Sequence, residues 1–316
     1  MKKTLRIALI VVMVIVVLAG GFAAFVAIRG VPHYEAKDPG ITVQSTPERV
    51  ERGRVLASML CADCHKNAET GKLTGGDMDV NHTAPFGLMY AQNITQDKNV
   101  GIGNWTDGQI IYLLRTGIKR DGQYTPPWMV KLPHMSDEDI SSIISFLHSD
   151  NRMVAADPTP DRPCEPSFFA KFLCLVAFHP LPYPEHPIPQ PDTTNKVAWG
   201  QYLVYSLDCF GCHSADFAKM NIMDPPASAG YLGGGNFLDS LYSANITPDE
   251  ETGIGSWSEQ QFVQTFRFGL KPDGTTTRLP MKPYSMLSES EAKAIYAYLQ
   301  TVPPISNKVN RGIVHK

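Results

Sequence analysis

Cys61-Ala62-Asp63-Cys64-His65 is a stretch that the chain repeats once, as Cys209-Phe210-Gly211-Cys212-His213. Two cysteines two residues apart, followed at once by histidine, can form thioether bonds to both vinyl groups of a haem while the histidine ligates the iron. Zinc sites and dithiol redox centres are the alternatives, but neither accounts for the histidine after each CxxC pair. We therefore predict two covalently bound haem c groups, one on each motif.

A longer internal repeat surrounds the two motifs. Asn93-Ile94-Thr95 recurs as Asn245-Ile246-Thr247, an offset of 152 residues (245 minus 93). The same offset relates four further pairs: Gly101-Ile102-Gly103 and Gly253-Ile254-Gly255, Arg115 and Arg267, Met129 and Met281, and Ser136 and Ser288. Such self-similarity predicts a duplicated domain rather than one fold with a chance motif.

Helix-start signals fall at matching places in the two copies. They are Thr46-Pro47 and Asn195 before a first helix, Thr106 with Gln109 and Ser258 with Gln261 before a middle helix, and Ser136 and Ser288 before a final helix. The first set are N-caps and the second are capping boxes, in which side chains satisfy the free backbone N–H groups of the first helical turn. Each copy is therefore predicted to contain a few helices joined by long loops.

This set of motifs and helices resembles the class I cytochrome c fold, in which an N-terminal helix delivers CxxCH, a C-terminal helix crosses it and an intervening loop supplies methionine. The resemblance covers residues 46–149 and 195–301 and implies an all-α fold with two tandem class I cytochrome c domains. Within that class, the Asn-Ile-Thr, Gly-Ile-Gly-x-Trp and Arg-x-Gly blocks resemble the cytochrome c subunits of bacterial membrane-bound dehydrogenases. Those relatives usually carry three haems, whereas this chain has two CxxCH motifs.

Methionine is the predicted sixth iron ligand in both copies. Met129 and Met281 occupy the same place in the repeat, seven residues before the serine that opens the final helix. Nearby competitors have no methionine partner in the other copy: Met135, Met286 and His134. Ligation by histidine and methionine raises the reduction potential of a haem iron. The predicted ligand pairs are His65 with Met129 and His213 with Met281.

The N-terminal segment has the length of a membrane span. Residues 7–28 are 22 positions without a charge, and this run exceeds the usual signal-peptide core of about 7–15 residues, so an uncleaved transmembrane helix is favoured over a cleaved signal peptide. Lys2, Lys3 and Arg6 precede the run, which by the positive-inside rule places the N-terminus in the cytoplasm. We expect the haem domains on the periplasmic side of the bacterial inner membrane.

The predicted organisation is an anchor over residues 1–29, a first domain over 46–150, a connector over 151–195 and a second domain over 196–303. The connector holds 10 of the 25 prolines, which excludes a long helix there. Its apolar stretch 168–178 predicts either a surface for the membrane or a partner protein, or a short helix buried between the domains. The two remaining cysteines, Cys164 and Cys174, form either a disulfide or a pair of buried thiols.

An iron whose two axial positions are both filled has no open site for peroxide or oxygen, which is typical of electron carriers rather than enzymes. We expect a membrane-tethered di-haem cytochrome c that transfers electrons between a respiratory-chain donor, either a dehydrogenase or a quinol-oxidising complex, and an oxidase or soluble carrier. The expected partners are the membrane and the redox proteins of a larger respiratory complex, and not nucleic acid. The alternative is a di-haem enzyme such as a cytochrome c peroxidase or a thiosulfate dehydrogenase.

Overall fold

The computed structural model describes residues 2–78, 85–238 and 241–310, in which helices form almost all of the regular structure. The α-helices are α1 (Lys2–Arg29), α2 (Pro47–Leu60), α3 (Ala62–His65), α4 (Asp107–Thr116), α5 (Asp137–Leu147), α6 (Phe168–Val176), α7 (Lys196–Ser206), α8 (Cys209–His213), α9 (Glu259–Phe268) and α10 (Glu289–Leu299). Two antiparallel strand pairs accompany them: β1 (Gly87–Leu88) with β2 (Glu165–Pro166), and β3 (Phe237–Leu238) with β4 (Leu241–Tyr242). The fold class is all-α, as predicted.

The predicted helix starts are confirmed in both copies. The Thr106 hydroxyl accepts a hydrogen bond from Gln109 N at 3.1 Å and the Ser258 hydroxyl accepts one from Gln261 N at 3.2 Å, and each glutamine side chain completes a capping box. Both middle helices end at a glycine in the left-handed conformation. Local sequence therefore determines where these helices begin and end.

A crossing of the first and last helices forms the centre of each domain. α2 packs on α5 in the first domain, and α7 packs on α10 in the second. Gly53 and Gly200 lie at the crossing points, where an added Cβ would overlap the backbone carbonyl oxygens of Ser142 and Ala294. The helices can approach this closely only because neither position carries a side chain.

The two domains contact each other through α2. Val55, Met59 and Leu60 pack against the hydrophobic core of the second domain, and Met59 and Leu60 also pack against the core of the first. One helix face thus belongs to both cores. The burial of this shared apolar surface favours a fixed arrangement of the domains.

A polar group of four residues, which we call the interdomain cluster, lies beside this contact: Arg52, Asp139, Tyr202 and Glu291. Arg52 of α2 donates to both carboxylate oxygens of Asp139, at 2.9 and 3.0 Å, and to Glu291 Oε1 of α10 at 2.5 Å. Tyr202 of α7 donates to Asp139 Oδ2 at 2.7 Å. Burial acts to raise the pKa of Asp139, but the hydrogen bonds and charge of Arg52 outweigh it and hold that pKa below its ordinary value.

The connector follows the surface of the first domain. Leu181 N donates to Thr116 O at 3.1 Å, and the Tyr124 hydroxyl donates to His179 O at 2.9 Å. The segment between α1 and α2 covers the same side, since Tyr34 N donates to Gly122 O at 2.8 Å. The segments that precede and follow the first domain in the sequence therefore both pack on its surface. No long helix interrupts the connector, as predicted.

The apolar stretch of the connector forms α6, which packs against α1 and β2. The rings of Phe172 and Phe22 meet edge to face with centroids 6.3 Å apart. Phe168 and Phe169 remain 50% and 46% exposed. The alternative of a helix buried between the two domains is therefore wrong.

The two cysteines of the connector are free thiols in the structure, so no disulfide joins them. Cys174 of α6 is buried, whereas Cys164 is exposed and its Sγ lies 3.3 Å from both N and O of Tyr90. A pair of buried thiols is therefore also wrong, because only Cys174 is buried.

α1 has the length and composition of a helix that can cross a membrane. Its apolar window has a mean hydropathy of 3.0 and is only 6% buried within the protein. A signal sequence near an N-terminus has the same properties. Val26 is an exception on this exposed helix, at 2% exposure.

Candidate haem sites

Each CxxCH motif forms a single helical turn at the end of the domain's first helix. In the first domain Cys61 both ends α2 and begins α3. In the second domain Asp208, in the left-handed conformation with φ of 54°, separates α7 from α8. Cys209 follows the crossing glycine Gly200 by nine positions, whereas Cys61 follows Gly53 by eight. The left-handed residue therefore absorbs the extra position and keeps the second motif beside its helix crossing.

No disulfide joins the four motif cysteines to one another. Burial raises the pKa of Cys61 and of Cys209 to about 12 and the pKa of Cys212 to about 11. Cys61 and Cys209 also pack against the hydrophobic core of their own domains. The thiols thus stand at the edge of an apolar core.

Both motif histidines are oriented by a backbone carbonyl. His65 Nδ1 lies 2.6 Å from Gln92 O, and His213 Nδ1 lies 2.8 Å from Ala244 O. A carbonyl oxygen only accepts hydrogen bonds, so Nδ1 carries the proton and the lone pair is on Nε2. Burial also lowers the pKa of His65, although the bond to Gln92 opposes this, and the ring is neutral at pH 7. Neutral imidazole with a free Nε2 lone pair is the form that binds a metal.

The Asn-Ile-Thr motif fixes the carbonyl that orients His65. Gln92 directly precedes Asn93, which is 3% exposed. Asn93 Oδ1 accepts hydrogen bonds from Thr95 N at 2.9 Å and Thr95 Oγ1 at 2.7 Å, and Asn93 Nδ2 donates to Asp157 O at 2.9 Å. The asparagine thereby ties the loop that carries the carbonyl to the connector.

The second copy repeats this arrangement, but its asparagine bonds to a different segment of the chain. Ala244 directly precedes Asn245, whose Oδ1 accepts from Thr247 N at 2.9 Å and Thr247 Oγ1 at 2.7 Å. Asn245 Nδ2 donates to Ile305 O at 2.6 Å, in the segment after α10. The sequence shows the repeated motif but not its role, which is to position the carbonyl oxygen that faces the motif histidine.

A glycine completes each histidine turn. Gly75 N donates to His65 O at 2.8 Å, and Gly234 N donates to His213 O at 2.6 Å. Both glycines have positive φ, 92° and 70°, and a Cβ on either would overlap the backbone just before the Asn-Ile-Thr motif. Only glycine fits this conformation and this space. The Gly-Gly steps of both copies were the available sequence signal.

The two predicted methionines lie in corresponding loops. Met129 is partly buried against the first core, and its N donates to Pro126 O at 3.1 Å. Met281 is partly buried against the second core. The competitors are placed differently: Met135 is 0% exposed within the first core, Met286 is 38% exposed, and His134 Nε2 lies 2.7 Å from Ile222 O.

The donor chemistry of each domain fits a haem c. Two thiols are available for thioether bonds, a neutral imidazole presents Nε2, and a thioether sulfur belongs to the same hydrophobic cluster as the first cysteine of the motif. Among the described residues no group of three or more His, Cys, Asp or Glu side chains could hold a metal ion by itself.

Two regions, residues 50–150 and 197–303, match the family model for cytochrome c, and together they make up more than half of the chain. The chain belongs to the cytochrome c family. With one domain for each motif, this di-haem cytochrome carries two haem c groups, as predicted. Electron transfer is the role that two cytochrome c domains imply.

The relatives of this cytochrome include subunits of dehydrogenases. It is 30% identical over 270 residues to the fructose dehydrogenase cytochrome subunit of Gluconobacter japonicus, covering 80% of this chain and 52% of that protein. It is 27% identical over 283 residues to the cytochrome c subunit of alcohol dehydrogenase (quinone) of Gluconacetobacter polyoxogenes, covering 84% and 59%. The cytochrome thus spans a little more than half the length of these relatives.

A relative of similar length is a diheme cytochrome c-type protein of Cereibacter sphaeroides. The two are 26% identical over 282 residues, which are 85% of this chain and 90% of that protein. The diheme description of this relative agrees with the prediction of two haems, and the prediction of an electron carrier agrees with the dehydrogenase subunits.

Arg115 of α4, which the repeat pairs with Arg267, is 1% exposed. Its guanidinium donates to Leu132 O at 2.7 Å, Met135 O at 2.6 Å and Asp137 Oδ1 at 2.6 Å. Arg115 closes the loop that follows Met129 onto the start of α5.

Its repeat partner Arg267 lacks this set of bonds. Arg267 Nη2 lies 3.5 Å from Ser285 O, and the guanidinium lies 5.0 Å from the centre of the Phe268 ring. Its Nε is buried without a hydrogen-bond partner among the described residues. The same sequence position therefore holds a loop firmly in one domain and only loosely in the other.

A second contact between the domains lies beside both candidate sites. Lys282, the residue after Met281, pairs with Asp63 inside the first CxxCH motif at 2.5 Å. Burial raises the pKa of Tyr284, and the nearby Asp63 carboxylate of the first domain adds to this shift. The methionine loop of the second domain therefore lies against the haem-attachment turn of the first.

Proposed function

We propose that this chain is a membrane-anchored di-haem cytochrome c that passes electrons from a respiratory dehydrogenase or quinol-oxidising complex to an oxidase or a soluble carrier. A bound haem c supplies an iron that alternates between ferric and ferrous states. The units are residues 46–150 and 196–303, joined by the connector 151–195, with residues 1–29 as the anchor. The dehydrogenase subunits among its relatives support a dehydrogenase as electron donor.

The proposal rests on the donor set of each domain. Cys61 and Cys64 would bind the first haem covalently, with His65 and Met129 as the axial ligands. In the second domain the same roles fall to Cys209, Cys212, His213 and Met281. The carbonyl that faces each histidine keeps the proton on Nδ1 and leaves Nε2 free for the iron, and each methionine packs against the hydrophobic core of its own domain.

The Lys282–Asp63 contact supports transfer within the chain. It joins the methionine loop of one site to the attachment turn of the other at 2.5 Å. The interdomain cluster holds the same two domains in place from the side of α2. Electrons that enter at either haem therefore have a short route to the other.

Replacement of the methionines tests the axial ligands. Met129→Leu and Met281→Leu should each convert one of two low-spin iron centres to high spin in the electron paramagnetic resonance spectrum, because leucine offers no donor atom. Met129→His should restore a low-spin centre at a lower reduction potential. Met135→Leu, in the core beside the first site, is the control and should leave both centres low-spin. An unchanged spectrum for Met129→Leu would remove Met129 from the iron.

The anchor is proposed to be α1, retained in the mature protein on the cytoplasmic membrane, with the haem domains on the periplasmic side. Its contact with α6, through Phe22 and Phe172, is one that cleavage after a signal sequence would destroy. The intact mass of the purified protein tests this directly. A mass that includes residues 2–29 supports the anchor, and a mass that lacks them contradicts it.

A further inference from the structure

α6 has an apolar composition that its surroundings do not cover. Lys171 is the one charged residue of its nine, Phe168–Val176. Only Ala170 and Cys174, one turn apart, are buried. Phe168, Phe169 and Val176 are 50%, 46% and 52% exposed. We call these three residues the α6 outer face. Exposure of this apolar surface to water is unfavourable in free energy.

α6 stands at the end of α1 that would leave the membrane. Phe172 of α6 contacts Phe22 of α1 with ring centroids 6.3 Å apart. Phe22 lies six residues before Ile28, the last residue of the uncharged run, which at the helical rise is about 9 Å along α1. Helices that lie in the membrane interface bury their apolar face about 5–10 Å into it. The contact therefore sits at the depth of an interfacial helix.

The charges near α6 are arranged as this depth requires. Arg29 ends α1, and its charge acts on the buried Cys174 thiol of α6. Arg29 thus marks the level of the lipid headgroups beside α6. Lys171 is half-buried and has a stem long enough to carry its charge to the same level.

An aromatic group ties α6 rigidly to the first haem domain. Phe169 stacks on Phe86 with centroids 6.2 Å apart and an interplanar angle of 16°. Phe86 in turn contacts Trp128 at 5.6 Å and Phe178 at 6.5 Å. Trp128 directly precedes Met129. Binding of α6 to a surface would therefore also restrict the position of the methionine loop of the first domain.

We propose that α6 lies in the periplasmic interface of the lipid bilayer, with the α6 outer face among the acyl chains, and that it holds the first haem domain against the membrane. This inference rests on the proposed function in one respect, namely that α1 is the retained anchor. Between residues 300 and 310, the described segment after α10, no helix corresponds to α6. Because α6 stacks on the first haem domain, that domain is the membrane-facing member of the pair.

Spin labelling of the full-length cytochrome in vesicles tests the proposal. The background is Cys164→Ser, which removes the exposed native thiol, and the label is attached to Val176→Cys on α6 or to the control Val197→Cys on α7. Val197 is also an exposed apolar residue, at 40%. The protein is reconstituted in vesicles of phosphatidylcholine and phosphatidylglycerol. The measurement compares relaxation of the label by oxygen, which concentrates in lipid, with its relaxation by a water-soluble nickel chelate.

The expected result is an excess of oxygen over nickel accessibility at position 176 and the reverse at position 197. A label at 176 that nickel reaches as readily as at 197 would overturn the proposal, and so would a label shielded from both reagents, since protein would then cover α6. The intact mass of each sample separates this test from that of the anchor. If α1 proves to be removed, the anchor fails, and the label at 176 on the remaining protein mixed with vesicles still decides whether α6 enters lipid.

Discussion

The two haem domains repeat one sequence pattern but differ in what covers them. Ile118 in the first domain and Leu270 in the second are corresponding residues, and they are 5% and 49% exposed. The connector and the segment after α1 cover the first domain at this place, with bonds such as Leu181 N to Thr116 O. Phe268, which corresponds to the buried Thr116, is 53% exposed.

This difference shows which features the duplication needs and which it leaves free to change. Both copies keep the carbonyl that orients the histidine, the asparagine that holds the carbonyl and the glycine at the histidine turn. The outer surfaces diverge, because the connector and the segment after α1 pack against the first domain, whereas Phe268 and Leu270 of the second domain are exposed.

The largest expected effect concerns the paired arginines. Arg115→Met should destabilise the first domain by about 3 kcal/mol, because two buried carbonyls and Asp137 lose their donor. Arg267→Met is the matched control and should cost less than about 1 kcal/mol. Denaturant unfolding in detergent, followed by haem absorbance, measures both. Equal losses for the two variants would contradict the difference between the domains.

A smaller effect is expected at the contact between the domains. A double-mutant cycle with Arg52→Met and Glu291→Gln should give a coupling energy of about 1–3 kcal/mol, because this pair is shielded from water by both domains. Arg49 and Glu138, a more exposed pair within the first domain, provide the reference cycle. Their coupling should stay below about 1 kcal/mol. If the two cycles agree, the interdomain cluster does not join the domains.

The smallest effect is a pH dependence of the free energy of unfolding where the connector packs on the first domain. Hydrogen bonds from Thr159 and Lys72 lower the pKa of Asp157 from 3.8 to about 2. A lowered carboxylate pKa stabilises the folded state above pH 4, and this contribution disappears as the pH falls from about 4 to about 2. Because the site is open to solvent, the contribution should not exceed about 1 kcal/mol.

Comparison of Asp157→Asn with the wild-type protein over this pH range measures that contribution. The stability difference should shrink toward pH 2. Asn307→Ala removes neutral hydrogen bonds to Gly233 and Gly234 from the corresponding tail of the second domain, and its effect should not change with pH. A constant difference for Asp157→Asn would show that its charge does not hold the connector.

The sequence predicted the elements that depend on nearby residues. The capping boxes, the helix starts, the motif histidines and the domain duplication follow from spacings within a few residues or from direct repetition. The burial of Arg115 could not be predicted, because its helix position resembles that of Arg267 and only the loop 132–137 distinguishes them. The same holds for Gly53, whose partner lies 89 residues away (142 minus 53) on another helix.

The connector was the least predictable part. Its prolines correctly excluded a long helix, but they carry no information on which surface the segment follows. The position of α6 depends on its contact with Phe22, far away in the sequence. An apolar run of this length is compatible with a buried helix and with a membrane surface, and only tertiary structure separates the two.

The most direct test of the central claim is the intact mass of the purified full-length protein under denaturing conditions. Because both sites have a complete set of donors, we predict a polypeptide that carries two covalently attached haems. The thioether bonds of each CxxCH motif retain the porphyrin after unfolding. A bare polypeptide, or one that carries a single haem, would contradict the account.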